Sequence, residues 1–458
     1  MADSQVETPQ SVAVTEMSQN THGFLDRFFR LSERKTDVKT EVFAGLTTFM
    51  TMCYIIFVNP QILSDAGIPK EGAIAATIFA SVFCTLLFGL WANFPVAIAP
   101  GMGLNAFFTY SVVLGQGLSW QTALGAVFIS GFVFFLLTVT GIRRRLVAAV
   151  PDVLRSAIVV GIGLFIAFIG LKNAGIIVKS PSTFVSLGQV TQPGPILTMI
   201  GLLVAVILMA RNFKGAMIIS ILITTLLAMA FGVTPVPHRL SDVMTFTMPD
   251  ITTTLGKLDI MAAIHYGIFS IIFSFTIVEL FDNLATLIGL SKKAGLMDKN
   301  GDIPNLNRAL QADAVGTMMS ATFGSTALNA YIENAAGISE GGRTGLTAVV
   351  VAGLFLLSLF LTPLIMLIPS VATAPALILV GALMLSEIKN LSFDDFTDTI
   401  PAFLTIILMP LTSSIAEGLA FGFVSYTVLK TLTGKYKEMN LFLYLITAAF
   451  IINFLYHG

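Results

Sequence analysis

The sequence predicts an all-α polytopic membrane protein folded as an inverted repeat, with short extended pieces breaking two of its spans. Three observations carry this. Of 458 residues, 55% are hydrophobic and only 11% charged, with a mean hydropathy of +0.87, where a soluble domain carries roughly 25% charge. The chain divides into apolar runs separated by short, basic connections. Motifs of the first half return in the same order in the second.

Residues 1–21 are polar and read as a disordered tail, and the first forty residues lack the succession of a signal peptide. Apolar runs follow near 42–63, 73–92, 95–115 and 121–141, then 151–171, 195–210 and 215–232. A second series covers 260–290, 309–323, 327–338 and 344–368, then 370–386, 400–413, 416–431 and 440–456. Several are shorter than the ~20 residues that cross a bilayer as a simple helix, so some helices must be short or broken. The expected architecture is fourteen spans plus an extra C-terminal helix over 440–456. Arg27, Arg30, Arg34, Lys35 and Lys39 precede the first span, which predicts a cytoplasmic N-terminus. Arg143, Arg144 and Arg145, then Arg211 and Lys214, then Lys292 and Lys293 fall on that same side when spans are counted from there.

GLNAFF at 103–108 returns as ALNAYI at 327–332, and LGAVFISGFVFFLL at 124–137 returns as LTAVVVAGLFLLSL at 346–359. VPDVLRSAIVVG at 150–161 is answered by IPSVATAPALILVG at 368–381. Each unit holds seven spans, and an odd number inverts the second copy, the arrangement of many secondary transporters. Upstream of the two Leu-Asn-Ala copies lie AIAPGMG (97–103) and ATFGSTA (321–327). Pro, Gly and small hydroxyl residues break a helix there, and irregular backbone at membrane depth persists only beside protein or a watery cavity. Two such breaks would aim half-helix N-termini at the centre from both sides.

Three acids lie in this apolar setting: Glu279 and Asp282 within SFTIVELFDNLATL (274–287), and Glu333, placed one turn into the half-helix after the second Leu-Asn-Ala. A carboxylate there costs about 2.5 kcal/mol or more on insertion, and no Lys or Arg shares these spans. A carboxyl can accept from the N–H donors of a heterocycle, and one able to gain and lose a proton can carry it across.

TEVFAGLTTFMTMCYIIFVNPQIL (40–63), APGMGLNAFF (99–108), VELFDNLATLIGL (278–290), AYIENAAGISEGGRTGLTA (330–348) and PAFLTIILMPLTSSIAEGLAFGF (401–423) together carry a family likeness. The chain resembles the azaguanine-type purine permeases of the nucleobase cation symporter superfamily, related to the bacterial uracil permease. The resemblance implies a core domain of spans 1–4 (42–141) and 8–11 (260–368), and a gate domain of spans 5–7 (146–232) and 12–14 (370–431). It implies proton symport of a purine nucleobase across a bacterial inner membrane by an elevator-like movement, in a homodimer joined through the gate. By position it makes Glu279 and Glu333 substrate-binding acids, with Asp282 and Glu279 serving proton coupling. Thr48 and Thr51 of the first span, Gly103, Asn105 and Ala330 join them as expected substrate contacts. Many hypoxanthine and guanine members resemble V-D-x-F-D where this chain has Val278-Glu279-Leu280-Phe281-Asp282, so adenine, guanine and hypoxanthine stay open.

Other features point to no second chemistry. The net charge of −1 gives no hint of nucleic-acid binding. Cys53 and Cys84 sit in apolar segments and read as core residues, GMGLNA lacks the βαβ unit of a dinucleotide site, and DKNGD (298–302) lacks calcium-loop spacing. No cofactor or metal is expected. His265 reads as a packed or interfacial histidine, and Arg343 in GGRTG as a topology anchor. An anion or another base such as uracil or xanthine is the alternative solute; an intramembrane enzyme would need a nucleophile and base or a metal set that the apolar spans lack.

Overall fold

The structure is a computed structural model that describes residues 23–142, 146, 150–266, 271–298 and 302–457, leaving the side chains of 280–282, 284, 285, 456 and 457 outside the description. A short helix, α1 (Phe24–Phe29), precedes α2 (Val38–Met52), whose N-terminus is capped by Asp37 accepting from the Thr40 N–H at 2.8 Å. α3 (Ile55–Asp65) follows after a turn at Cys53 and Tyr54, and α4 (Lys70–Leu86) runs on as a π-helix to Ala92. Then come β1 (Ile98–Pro100), α5 (Met102–Ala106), a π-helical stretch to Val113, α6 (Trp120–Val139) and α7 (Asp152–Asn173). β2 (Ile177–Ser180) and β3 (Phe184–Leu187) form a hairpin before α8 (Pro193–Ala210) and α9 (Ala216–Ala230).

The second half holds α10 (Ile260–Tyr266), α11 (Phe273–Lys293), α12 (Leu306–Phe323), β4 (Leu328–Ala330) and α13 (Asn334–Ser339). It continues through α14 (Gly345–Ser358), α15 (Thr362–Leu367), α16 (Ser370–Met384), α17 (Phe396–Thr412) and α18 (Ile415–Leu432) to α19 (Leu441–His457). Among the described residues eight helical runs are long and apolar enough to cross a membrane, and Ala216–Ala230, Phe396–Thr412 and Leu441–Leu455 are apolar but shorter.

Within the run 260–290, expected as one span, the described residues are helical in α10 and α11, with 267–270 outside the description. One departure from the sequence reading is instructive. The β2–β3 hairpin lies between apolar runs, where hydropathy gives no signal; its short Ile-Val and Phe-Val segments around Pro181, Ser182 and Thr183 pair with Ile177 opposite Leu187.

Packing follows the repeat. α7 and its repeat partner α16 lie against each other, as do α17 and α18, while α12 packs on α4 and α6 and α14 on α2 and α4. The α7–α16 contact is close because both helices present glycine: a Cβ on Gly381 would stand 2.3 Å from the Gly163 carbonyl oxygen. α19 packs along α18, with Thr427 and Thr447 hydroxyls 2.7 Å apart. Its Phe450 ring reaches both Phe423 of α18 at 5.8 Å and Phe273 of α11 at 5.0 Å. Just before α19, Glu438 accepts from Lys430 at 2.7 Å, and Lys430, 1% exposed, also pairs with Asp398 at 2.9 Å. Burial of that ammonium is tolerable because carboxylates surround it.

Candidate functional site

The centre of the molecule is set by the two helix breaks. Pro100 ends β1, Gly101 caps α5, and Gly324 ends α12 with φ 103, a backbone that favours glycine. β1 and β4 pair antiparallel, Ile98 opposite Ala330, Ala99 opposite Asn329 and Pro100 opposite Leu328. The Gly101 N–H extends the ladder to the Ala327 carbonyl at 3.0 Å. Side chains complete what so short a ladder leaves open. Asn334 acts as a strand surrogate for Ala97, accepting from its N–H at 2.7 Å and donating to its carbonyl at 2.9 Å. Tyr331 Oη donates to the Pro100 carbonyl at 2.5 Å, and Asn283 Oδ1 accepts from the Ala330 N–H at 3.0 Å.

Glu333 does not lie one turn into its half-helix; it is the residue immediately before α13. The extended Leu-Asn-Ala and a turn at Ile332 and Glu333 consume the residues that an earlier start would need. Its half-buried carboxylate accepts from Tyr54 Oη at 2.7 Å, and its carbonyl accepts from Thr51 Oγ1 at 3.3 Å. Tyr54 occupies the turn between α2 and α3, its ring 6.4 Å from that of Tyr331. An acceptor bonded to a phenol immediately before a helix can accept from the N–H of a planar solute.

Glu279 is fully buried and turned into the bundle: Thr317 Oγ1 of α12 donates to Oε1 at 2.8 Å and Ser130 Oγ of α6 to Oε2 at 3.3 Å. The same Thr317 hydroxyl accepts from the Leu328 N–H at 3.4 Å, so Glu279 is joined to β4 through one hydroxyl. Asn283, one turn along α11, touches the same strand at Ala330. The side chain of Asp282, expected to serve proton coupling, lies outside the described residues.

Of the remaining expected contacts, Asn105 is hydrogen-bonded inside the bundle, while the buried Thr48 hydroxyl has no hydrogen-bond partner among the described residues. Asn105 is fully buried, donates to the Pro100 carbonyl at 3.4 Å and accepts from Thr326 Oγ1. Thr48 packs against the half-helix, its hydroxyl 2.0 Å from where a Cβ on Gly337 would stand. A Cβ on Gly103 would lie 2.6 Å from Ile162 Cγ2 of α7. A Cβ on Gly101 would instead stand 2.7 Å from Asn329 Nδ2. Gly201, in α8, is no looser, since a Cβ would meet Thr224 Oγ1 at 2.3 Å. Hydropathy reasoning missed Tyr54, Tyr331, Asn283, Thr317 and Ser130. Polar groups inside apolar runs were the available signal, since buried hydroxyl and amide groups require partners.

A model of the permease family matches residues 39–452, nearly the whole of this helical bundle. The chain belongs to this family, the nucleobase-ascorbate transporters. The permease is 43% identical over 438 residues to the adenine permease AdeQ of Escherichia coli, covering 96% of this chain and 98% of that one. It is 44% identical over 423 residues to the guanine/hypoxanthine permease PbuO of Bacillus subtilis, covering 90% and 96%. Among solved structures, the transmembrane domain of the cyanobacterial bicarbonate transporter BicA matches with a TM-score of 0.63 at 14% identity, over 84% of this chain and 97% of that one. The fold is therefore that of a multi-pass membrane transporter.

Proposed function

We propose that this permease imports a purine nucleobase, with the base held between Glu333, Tyr54 and Tyr331 and a proton carried through Asp282 and Glu279. The observation that carries the reading is the near end-to-end similarity to an adenine and a guanine/hypoxanthine permease. The geometry supports it: Glu333 receives its hydrogen bond from a phenol, a partner that a purine N–H could replace or share. The helices divide into a core of spans 1–4 and 8–11 and a gate of spans 5–7 and 12–14, fourteen in all, moving as an elevator in a homodimer. The N-terminus lies in the cytoplasm of a bacterial inner membrane.

Uptake of labelled adenine, guanine, hypoxanthine, uracil and sulfate into a host stripped of its own carriers tests the substrate. Accumulation of at least one purine, and none of sulfate, is expected. Sulfate uptake without purine uptake would return the chain to the anion-carrying use of the fold. Accumulation should stop with an uncoupler, because a neutral base alone gains nothing from the membrane potential; uptake that tracks sodium instead overturns proton coupling. Asp282→Asn should keep purine affinity within a few fold and abolish concentrative uptake.

A further inference from the structure

Away from the centre, a cavity of about 140 Å³ opens where α1, the end of the α4 run and the start of α12 meet. Three arginines line it: Arg30, Arg34 and Arg308. Arg30 has only a loose contact with Glu33, 3.8 Å away with both side chains exposed, which offers little compensation. Arg34 is pinned through Nη1, donating to the Asn93 carbonyl at 2.7 Å and the Arg343 carbonyl at 2.8 Å. Burial holds its guanidinium below the ordinary range in spite of Glu33 and Glu41. Arg308 is exposed in the first turn of α12, a helix with no side-chain N-cap and no acid in that turn. A cation there opposes the helix dipole. Three arginines and a helix N-terminus thus line one cavity to which, among the described residues, no carboxylate contributes.

Beside Asn93 and Asn305, three apolar residues of the wall are turned outward. Phe28, Leu90 and Trp91 are 46%, 48% and 41% exposed, and Trp favours the membrane interface. Free phosphate gains nothing from such a wall, whereas a phosphate carrying acyl chains does.

We propose that this cavity binds the phosphodiester of an anionic phospholipid of the cytoplasmic leaflet, its phosphate between Arg30, Arg34 and Arg308 and its chains against Phe28, Leu90 and Trp91. The proposal uses the orientation given by the basic loops and is independent of the solute transported. Bound lipid would tie α1 to the core: Asn93 beside the cavity donates to the Phe29 carbonyl at 2.8 Å and accepts from the Gly345 N–H at 2.7 Å.

The test uses purified, delipidated full-length protein titrated separately with phosphatidylglycerol, phosphatidylcholine and inorganic phosphate, with bound lipid counted by native mass spectrometry and melting followed in parallel. Phosphatidylglycerol should be retained and raise the melting temperature, phosphatidylcholine should do neither, and millimolar phosphate should leave the lipid in place. Arg30→Gln with Arg308→Gln should weaken phosphatidylglycerol binding by roughly 30-fold. Neither side chain makes a hydrogen bond among the described residues, so the variant should elute as the parent does; each single variant, with a smaller loss, guards against misfolding. Lys292→Gln with Lys293→Gln, on the same side but outside the cavity, should change little. Equal retention by parent and arginine variant, equal loss in the lysine control, equal binding of phosphatidylcholine, or displacement by inorganic phosphate would each overturn the lipid site.

Discussion

The same tripeptide, Leu-Asn-Ala, is helical at 104–106 and extended at 328–330. The sequence repeat runs at an offset of 224 residues, from Gly103 to Ala327, while the strands it positions are 230 apart, from Ile98 to Leu328. The copies are therefore six residues out of step. In the first, Pro100 holds Ala99 extended and Gly101 starts the helix at once, so Leu-Asn-Ala becomes its first turn. In the second there is no proline; Gly324 closes the preceding helix, Ser325 bonds back to it, and Leu-Asn-Ala takes the strand that faces residues 98–100. The consequence is chemical. Thr109 of the first copy aligns with Glu333 of the second, and Thr109 merely donates to the Ile62 carbonyl at 3.1 Å while Glu333 presents a half-buried carboxylate at a helix start. One copy offers a hydroxyl bonded to backbone, the other a carboxylate bonded to a phenol.

The largest effect should come from the ladder itself. Gly101→Val sets a branched side chain within 2.7 Å of Asn329 Nδ2, so surface-normalised purine uptake should fall more than tenfold. Near-parental uptake would mean that the strands need not pair closely. Next, Glu333→Gln should weaken purine binding by about 1.5–3 kcal/mol, through loss of a charge-assisted hydrogen bond, whereas Thr109→Val should stay within about threefold. Equal losses in calorimetric titration would erase the asymmetry between copies. Tyr54→Phe keeps the ring and removes one donor, for a cost of about 1 kcal/mol in the same titration; no change would place the base elsewhere. The smallest effect belongs to Gly103→Ala, whose new methyl meets only the side chain of Ile162, so a few-fold loss of uptake should be restored by adding Ile162→Ala. Failure of that rescue would show that Gly103 answers to something other than α7.

Much of this was legible in one dimension. Hydrophobic runs, the ordered repeat and the helix-breaking residues before each Leu-Asn-Ala determine a broken-helix membrane protein, because a bilayer demands apolar length and penalises unsatisfied backbone whatever the fold around it. The acids at 279, 282 and 333 stand out for the same reason: charge in hydrocarbon is costly and so conspicuous. What each polar group faces was not legible. Glu279 turns to Ser130 and Thr317, Glu333 turns to Tyr54, and Gly103 turns to α7, each choice set by helices that lie far away in sequence. Nor could the sequence tell which Leu-Asn-Ala would be strand. A tripeptide has no preference strong enough to decide; the decision belongs to Pro100, to Gly324 and to the partner strand that satisfies its backbone.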